Sequence, residues 1–460
     1  MDDLVRFLQS LGSPGGSTPT GVAVDPPLAL ATVVNTSGSA YRRPGARMLV
    51  RRSLAVQGAV SAGCLERDIV ANCQYLNSDD KPVLLTYDGS STDELVFGLK
   101  LGCDGVVQIL IEPLALQNSF GPPKFRRLEK LVPQLLAENG RLVAVTIFEL
   151  TATYDMSEVA CAGLVMLETG TQTYELAAVP RNVSAYLRTQ AQDVLSDSRG
   201  GRSFVVSAEI DGYSVSALIE LVQPVTSLMI FGSGQDVEPL VEMADVLGWR
   251  ATVVEESRGP ASVASRDAQQ KLTERFRRFT NTRAVVMDFD ALPALIARET
   301  INAAIVMTHD YERDGKILRH LLSDWASLLP YIGVVGPRRR ADKLMAELAL
   351  AGLPLTETAQ SRLYSPVGLD LGAERPEEIA LSILAEIKAV LAGHNGGLLR
   401  EKQGPIHEPV KHRYLQHVQT VVDRPALMAP PAASLTDAES RSFSAVTSAS
   451  LSASCNLSDA

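Results

Sequence analysis

Hydrophobic positions change their spacing twice along this chain. Leu4, Phe7, Leu8 and Leu11 recur at intervals of three and four, which predicts a short amphipathic helix over residues 1–11 packed through one face. The stretch GSPGGSTPTG follows and reads as a flexible linker. From 28 to 225 the apolar residues gather into short β-type runs separated by turn residues: LALATVVNT, RMLVRR, VLLTYDG, VVQILIEPL, RLVAVTIFEL, AGLVMLE, ELAAV and SFVVSAEI. One helical stretch, 124–138 with Pro133 inside it, interrupts them. The pattern predicts a β-rich α+β domain.

Near residue 226 the pattern changes. LMIFG is a wholly apolar run, GSGQD a turn, and VEPLVEMADVLGW an amphipathic helix; ATVVEE, RAVVMDF, AAIVMTHD and YIGVVGP are further apolar runs with helical patterns between them. Continuous apolar strands alternating with helices predict a parallel sheet covered on both faces, a Rossmann-like doubly wound α/β domain over 226–395. Its last helix, 376–392, carries Pro376 in the first turn and Glu377 and Glu378 at the positive end of the dipole. Residues 396–460 lose the pattern and end in a Ser/Ala-rich stretch, which reads as a mostly disordered tail.

Composition narrows the functional classes. At 460 residues, 46% hydrophobic and 21% charged, the chain can bury a core without disulfides or metal staples. Five cysteines are few and odd in number, which favours a reducing compartment. MDDLVRFLQSLG lacks the basic and apolar regions of a signal peptide, and no run long enough to span a membrane occurs, so a cytoplasmic protein is expected. The net charge of −10 argues against nonspecific nucleic-acid binding.

Candidate chemistry concentrates in four places. VSAGCLERD sets Gly63 and Cys64 just before a helical pattern, where a helix N-terminus stabilises a thiolate. LGCDG places Gly102 and Cys103 in a second glycine-rich turn that a ligand can approach; Cys73, within the helical pattern, reads as core. TSGSAYRRPGARM carries Arg42, Arg43 and Arg47 around a Pro-Gly turn, an anion cradle or else a plain surface hairpin. The Rossmann-like crevice gathers the rest. Gly232 and Gly234 form the turn that admits a pyrophosphate, although Val237 stands at the third glycine position. Asp236 at the helix mouth either caps the helix or repels phosphate. Glu255 ends the second strand, where an acid binds ribose hydroxyls. His309 and Asp310 follow a later strand, as ligand-orienting groups or as a helix cap. Arg338, with its two neighbours, either binds phosphate or forms a solvated cluster. No CxxC pair occurs, so the spacing defines no metal site.

The ordered set ATVVNTSGSAYRRPGARMLV, GAVSAGCLERDIV, FGLKLGCDGVVQILIEPL, LMIFGSGQDVEPLVEMADVLGWRATVVE, VVMTHDYERDGKILRHLL and YSPVGLDLGAERPEEIALSILAEIKAVLAG resembles the XdhC/CoxI family of xanthine dehydrogenase accessory proteins, over about residues 28 to 407. The resemblance implies a non-catalytic maturation chaperone. Such a protein binds the molybdenum cofactor (molybdopterin), supports its sulfuration and delivers it to a xanthine dehydrogenase-like molybdenum hydroxylase, with Cys64 and Cys103 as sulfur contacts. It also implies a cysteine desulfurase and a second copy of the chain as partners. The alternative from the glycine turn is an NAD(P)-dependent oxidoreductase. The chain departs from the family pattern at Ala62, Lys100 and Asp104, which stand where glycines are usual, and at Glu255 in place of Asp.

Overall fold

A computed structural model describes residues 3–12, 25–76, 81–89, 105–114, 123–153, 162–197, 203–257, 263–322, 329–353, 356–403 and 412–418. The first five strands are β1 (Pro27–Ser37), β2 (Arg47–Arg51), β3 (Val56–Gly58), β4 (Val83–Asp88) and β5 (Val106–Pro113). They form an antiparallel sheet in the order β3-β2-β1-β5-β4. The strand period of two sends Ala29, Ala31 and Val33 of β1 to one face, with Met48, Ile109 and Ile111, against Ile69 and Cys73 of the helix Glu66–Cys73. Leu30 and Leu49 face the other way. They pack with Leu4, Phe7 and Leu8 of the helix Asp3–Gly12 and with Leu128 and Val132 of the helix Pro123–Asn139, which runs on past Pro133.

The second sheet holds β6 (Leu142–Ala152), β7 (Gly163–Glu168), β8 (Thr173–Glu175), β9 (Phe204–Ile210) and β10 (Tyr213–Val222), in the order β9-β10-β6-β7-β8. The helix Arg181–Ser196 covers it through Val183, Tyr186, Leu187, Ala191 and Val194. Val34 and Leu110 of the first sheet meet Phe148, Val205 and Leu218 of the second in a shared apolar cluster, so the two sheets pack on each other.

The third sheet is parallel throughout: β11 (Ser227–Phe231), β12 (Arg250–Glu256), β13 (Thr282–Met287), β14 (Ala303–Val306), β15 (Tyr331–Val334) and β16 (Leu363–Tyr364). Its order, β13-β12-β11-β14-β15-β16, is that of the dinucleotide-binding Rossmann fold, with the switch point between β11 and β14. Val237, Leu240 and Val241 of the helix Val237–Val246 pack with Ile383 and Ile387 of the helix Pro376–Leu391 in one apolar cluster. Ile317 and Leu318 of the helix Tyr311–Leu322 and Leu344 of the helix Arg338–Leu350 lie in another. The expected α+β domain followed by a Rossmann-like domain is what forms.

Several elements differ from the sequence reading. The helix Arg181–Ser196 and strand β10 were not read from the sequence, and only Thr173–Glu175 of the region around ELAAV is extended. In the segment read as a tail, β17 (His412–Val418) pairs in parallel with β9 and completes the second sheet. The Ser/Ala-rich end expected to be disordered lies outside the described residues. No helix among the described residues is long and apolar enough to cross a membrane.

Candidate functional site

Strand registers explain why distant motifs meet. Arg47 lies opposite Thr32, Met48 opposite Gly58, and Ser37 opposite Val106. The loop after β1, the turn after β3 and the entry to β5 therefore all lie at one end of the first sheet. Gly105 sits so close to the Ser39 carbonyl that a Cβ there would come within 2.3 Å of it. Gly102 and Cys103 precede it in sequence and lie outside the described residues.

In the loop after β1 the three arginines take different roles. Arg47 is withdrawn into the core, where its guanidinium donates to Glu220 on β10 at 2.8 and 2.6 Å and to the Gly45 carbonyl at 2.9 Å. Both partners are buried, with side chains 3% and 6% exposed, so this pair joins the two sheets instead of facing a ligand. Arg42 pairs with Asp3 of the first helix, and the same carboxylate accepts the Arg47 amide at 3.1 Å. Arg42 and Arg43 line a cleft of about 570 Å³ together with Tyr41, Ser203 and Leu221.

The cysteine turn after β3 is organised by Ser61 and Glu66. The Ser61 hydroxyl donates to the Glu66 carboxylate and accepts the Gly63 and Leu65 amides at 3.1 Å each. Glu66 also accepts the Val60 and Ser61 amides at 3.2 and 2.8 Å. Burial alone would raise the Glu66 pKa, but the bonds from Ser61 and from the amides outweigh it and hold the carboxyl below its ordinary value. Gly63 has φ +109, a conformation other residues rarely adopt, and a methyl group there would meet no heavy atom within 4 Å. The turn is thus fixed from inside and open on its outer side. Cys64 is half-buried on it, two residues before the helix Glu66–Cys73. Cys73 lies in the core, where burial pushes its thiol up to about 11.

That contrast gives a direct expectation. Iodoacetamide on the native protein near pH 8 should modify Cys64 at least about a hundredfold faster than Cys73, because only the thiolate reacts and Cys73 is both enclosed and protonated. Site-resolved peptide mass spectrometry reads both rates; equal rates would contradict the burial of Cys73.

The Rossmann crevice gathers most of the remaining candidates at the carboxyl ends of β11, β12 and β14. Gly232 has φ +120 and its amide donates to Val254 at 2.9 Å. The Ser233 hydroxyl donates to Glu255 at 2.5 Å, and Arg313 reaches Glu255 at 3.1 Å and Glu256 at 2.9 Å. Arg275 donates to the Ser233 and Gly234 carbonyls at 2.6 and 2.9 Å. His309, in the left-handed region at φ +58, pairs with Asp236 at 2.8 Å. Asp310 accepts the Glu312 and Arg313 amides at 3.0 and 3.1 Å, capping the helix Tyr311–Leu322; those bonds, led by the Arg313 amide, hold its carboxyl below the usual range. Arg338 is exposed at the start of the next helix. Nearby, the buried Asp314 accepts from Thr308 at 2.5 Å and from Arg340 at 2.6 Å.

Sequence reasoning missed Asp3, Glu220, Ser61, Glu66, Arg275 and Arg313, all of which position candidate residues. Only Ser61 and Glu66 lie close enough in sequence to suggest a capped turn. Among the described residues, no group of three or more His, Cys, Asp or Glu side chains is placed to hold a metal ion.

The fold and these sites define a class: a β-rich domain with a cysteine turn, joined to a Rossmann domain. Residues 23–88 match the description "XdhC and CoxI family", and residues 228–387 match "XdhC Rossmann domain". The chain is thus similar to both parts of this family, over 23–88 and over 228–387. It is 28% identical over 358 residues to a probable xanthine dehydrogenase subunit of Bacillus subtilis, covering 78% of this chain and 91% of that one. The uncharacterized protein YqeB of Escherichia coli is 30% identical over 106 residues, 23% of this chain and 18% of its own. A crystal structure described as a xanthine dehydrogenase from Bacillus halodurans superposes with a TM-score of 0.59 at 26% identity, covering 85% of this chain and 96% of that one.

Proposed function

We propose that this protein is a maturation factor that holds the molybdenum cofactor, supports its sulfuration and passes it to a xanthine dehydrogenase-like client. The observation that carries this reading is the convergence at one end of the first sheet. An open, internally braced turn bearing Cys64 lies at the same sheet end as a loop bearing two arginines on a cleft of about 570 Å³. The similarity to the XdhC and CoxI family and the relatives' names supply the client class.

The residues present suit such a group. A thiolate is a soft ligand matched to a soft metal centre. Guanidinium groups match phosphate oxygens, and the volume of the cleft lies within the range of small-molecule sites. When bound, the cofactor supplies molybdenum and its exchangeable terminal ligand. The chain's own part is to orient it: Ser61 and Glu66 fix the turn, Gly63 leaves the approach clear, and Arg43 lines the cleft beside Arg42, which is held by Asp3. Arg47 acts through Glu220, by holding the loop, and not by contact. A cysteine desulfurase as sulfur donor belongs to the same proposal.

Expression in a molybdenum-cofactor-competent host, followed by pterin and metal analysis, tests this. Wild type should copurify with pterin, and Cys64→Ala should lose at least about 90% of it, a tenfold drop corresponding to roughly 1.4 kcal/mol of binding. Cys103→Ala should lower it as well. Pterin-free wild type sinks the reading; undiminished pterin in both variants removes the thiols from it.

A further inference from the structure

We propose that the phosphate seat of the Rossmann crevice is filled by the protein's own Asp236, locked there by His309, and that the domain consequently rejects pyrophosphate dinucleotides. In folds with this strand order the pyrophosphate lies over the glycine turn, against the amides of the following helix. Here Asp236 reaches back over that turn. Its Oδ1 would come within 2.3 Å of a Cβ built on Gly234, so the carboxylate rests against the face of the second glycine. Its Oδ2 lies 2.8 Å from His309 Nε2, which reaches across from the end of β14.

Asp236 precedes the helix Val237–Val246 yet makes no side-chain capping bond to it. Its carboxylate is therefore committed to the space over the turn and to His309, and not to closing the helix end. A carboxylate is an anion of the charge sign and oxygen chemistry of a phosphate, and it favours the same positive helix end.

The ribose side of the crevice is closed in the same way. Glu255, which would accept a ribose hydroxyl, already accepts Ser233 Oγ at 2.5 Å and Arg313 at 3.1 Å. Arg275 draws the Ser233 and Gly234 carbonyls toward itself and so braces the turn from behind. Among the described residues, Arg313 is engaged by Glu255 and Glu256, Lys316 by Glu256 and Arg278 by Glu238. An incoming pyrophosphate would face the Asp236 carboxylate at contact distance, anion against anion. Dinucleotide redox chemistry thus has no seat in this domain. The inference does not rest on the maturation reading and stands or falls separately from it.

Titration of the full-length protein with NADH, followed by nicotinamide fluorescence and by calorimetry, tests it. Wild type should show no saturable binding up to about 1 mM. Asp236→Ala, which keeps a helical backbone, and Asp236→Asn, which keeps the side-chain shape while removing the charge, are the variants, each checked for an unchanged melting temperature. Asp236→Ala should acquire saturable binding at least about tenfold tighter than the wild-type limit, with Asp236→Asn intermediate. Saturable wild-type binding below about 1 mM overturns the inference. So does a folded Asp236→Ala or Asp236→Asn protein with no gain.

Discussion

Arg47→Ala should lower the unfolding free energy by about 3–5 kcal/mol, the cost typical of breaking a buried ion pair by removing one partner. Arg47 and Glu220 are 3% and 6% exposed and joined by two hydrogen bonds, so either truncation strands a charge in the interior. Glu220→Ala should therefore cost about as much as Arg47→Ala. Glu220→Gln retains hydrogen-bonding capacity and should cost less. The double replacement Arg47→Met with Glu220→Leu should recover most of the loss, because apolar side chains of similar volume carry no desolvation penalty. Urea unfolding of the four variants measures this; additive losses in the double variant would mean that the two groups act independently. The pair joins β2 to β10, so it also decides whether the loop with Arg42 and Arg43 keeps its shape.

Gly232→Ala should be the most damaging small substitution in the Rossmann domain, at roughly 3 kcal/mol. Two penalties combine there. The backbone has φ +120, and a methyl group would come within 2.5 Å of the Met307 carbonyl and 3.1 Å of Thr308 Cα at the end of the neighbouring strand. Gly63→Ala supplies the comparison. Its φ of +109 is similar, but nothing lies within 4 Å of the added methyl, so only the conformational penalty applies. Thermal or urea unfolding should therefore place Gly63→Ala well above Gly232→Ala in stability. Equal losses would show that the approach of β11 to the end of β14 costs nothing, contrary to the geometry.

What could be read from the sequence follows from how local each signal is. The strands of the third sheet were legible as apolar runs such as LMIF and ATVV, because a parallel sheet is buried on both faces. The strand order was not, since register depends on packing between segments far apart. The helix Arg181–Ser196 does bury residues at helical spacing, Val183, Tyr186, Leu187, Gln190, Ala191 and Val194. A buried glutamine and a small alanine in that stripe hid the period. The arginine motif was visible, but its meaning was not: the partner of Arg47 is Glu220, in another sheet, so three similar arginines gave no hint that one is internal. The crevice behaves likewise. Asp236 read equally well as a cap or as a phosphate repellent, and its partner His309 arrives from another strand.

The last strand also changes how the chain is threaded. β17 returns after the whole Rossmann domain to lie beside β9, so that domain is an insertion between two members of one sheet. Arg413 secures the return, stacking 4.2 Å above the Phe204 ring and bonding to Gln190 at 2.9 Å and Asp193 at 3.2 Å on the covering helix. The segment serves as an edge guard. Phe204–Ile210, a run of mostly buried residues, would otherwise end the sheet with open backbone donors and acceptors, the usual template for strand-to-strand aggregation. Cutting the chain between its two domains would thus separate a sheet from its own border.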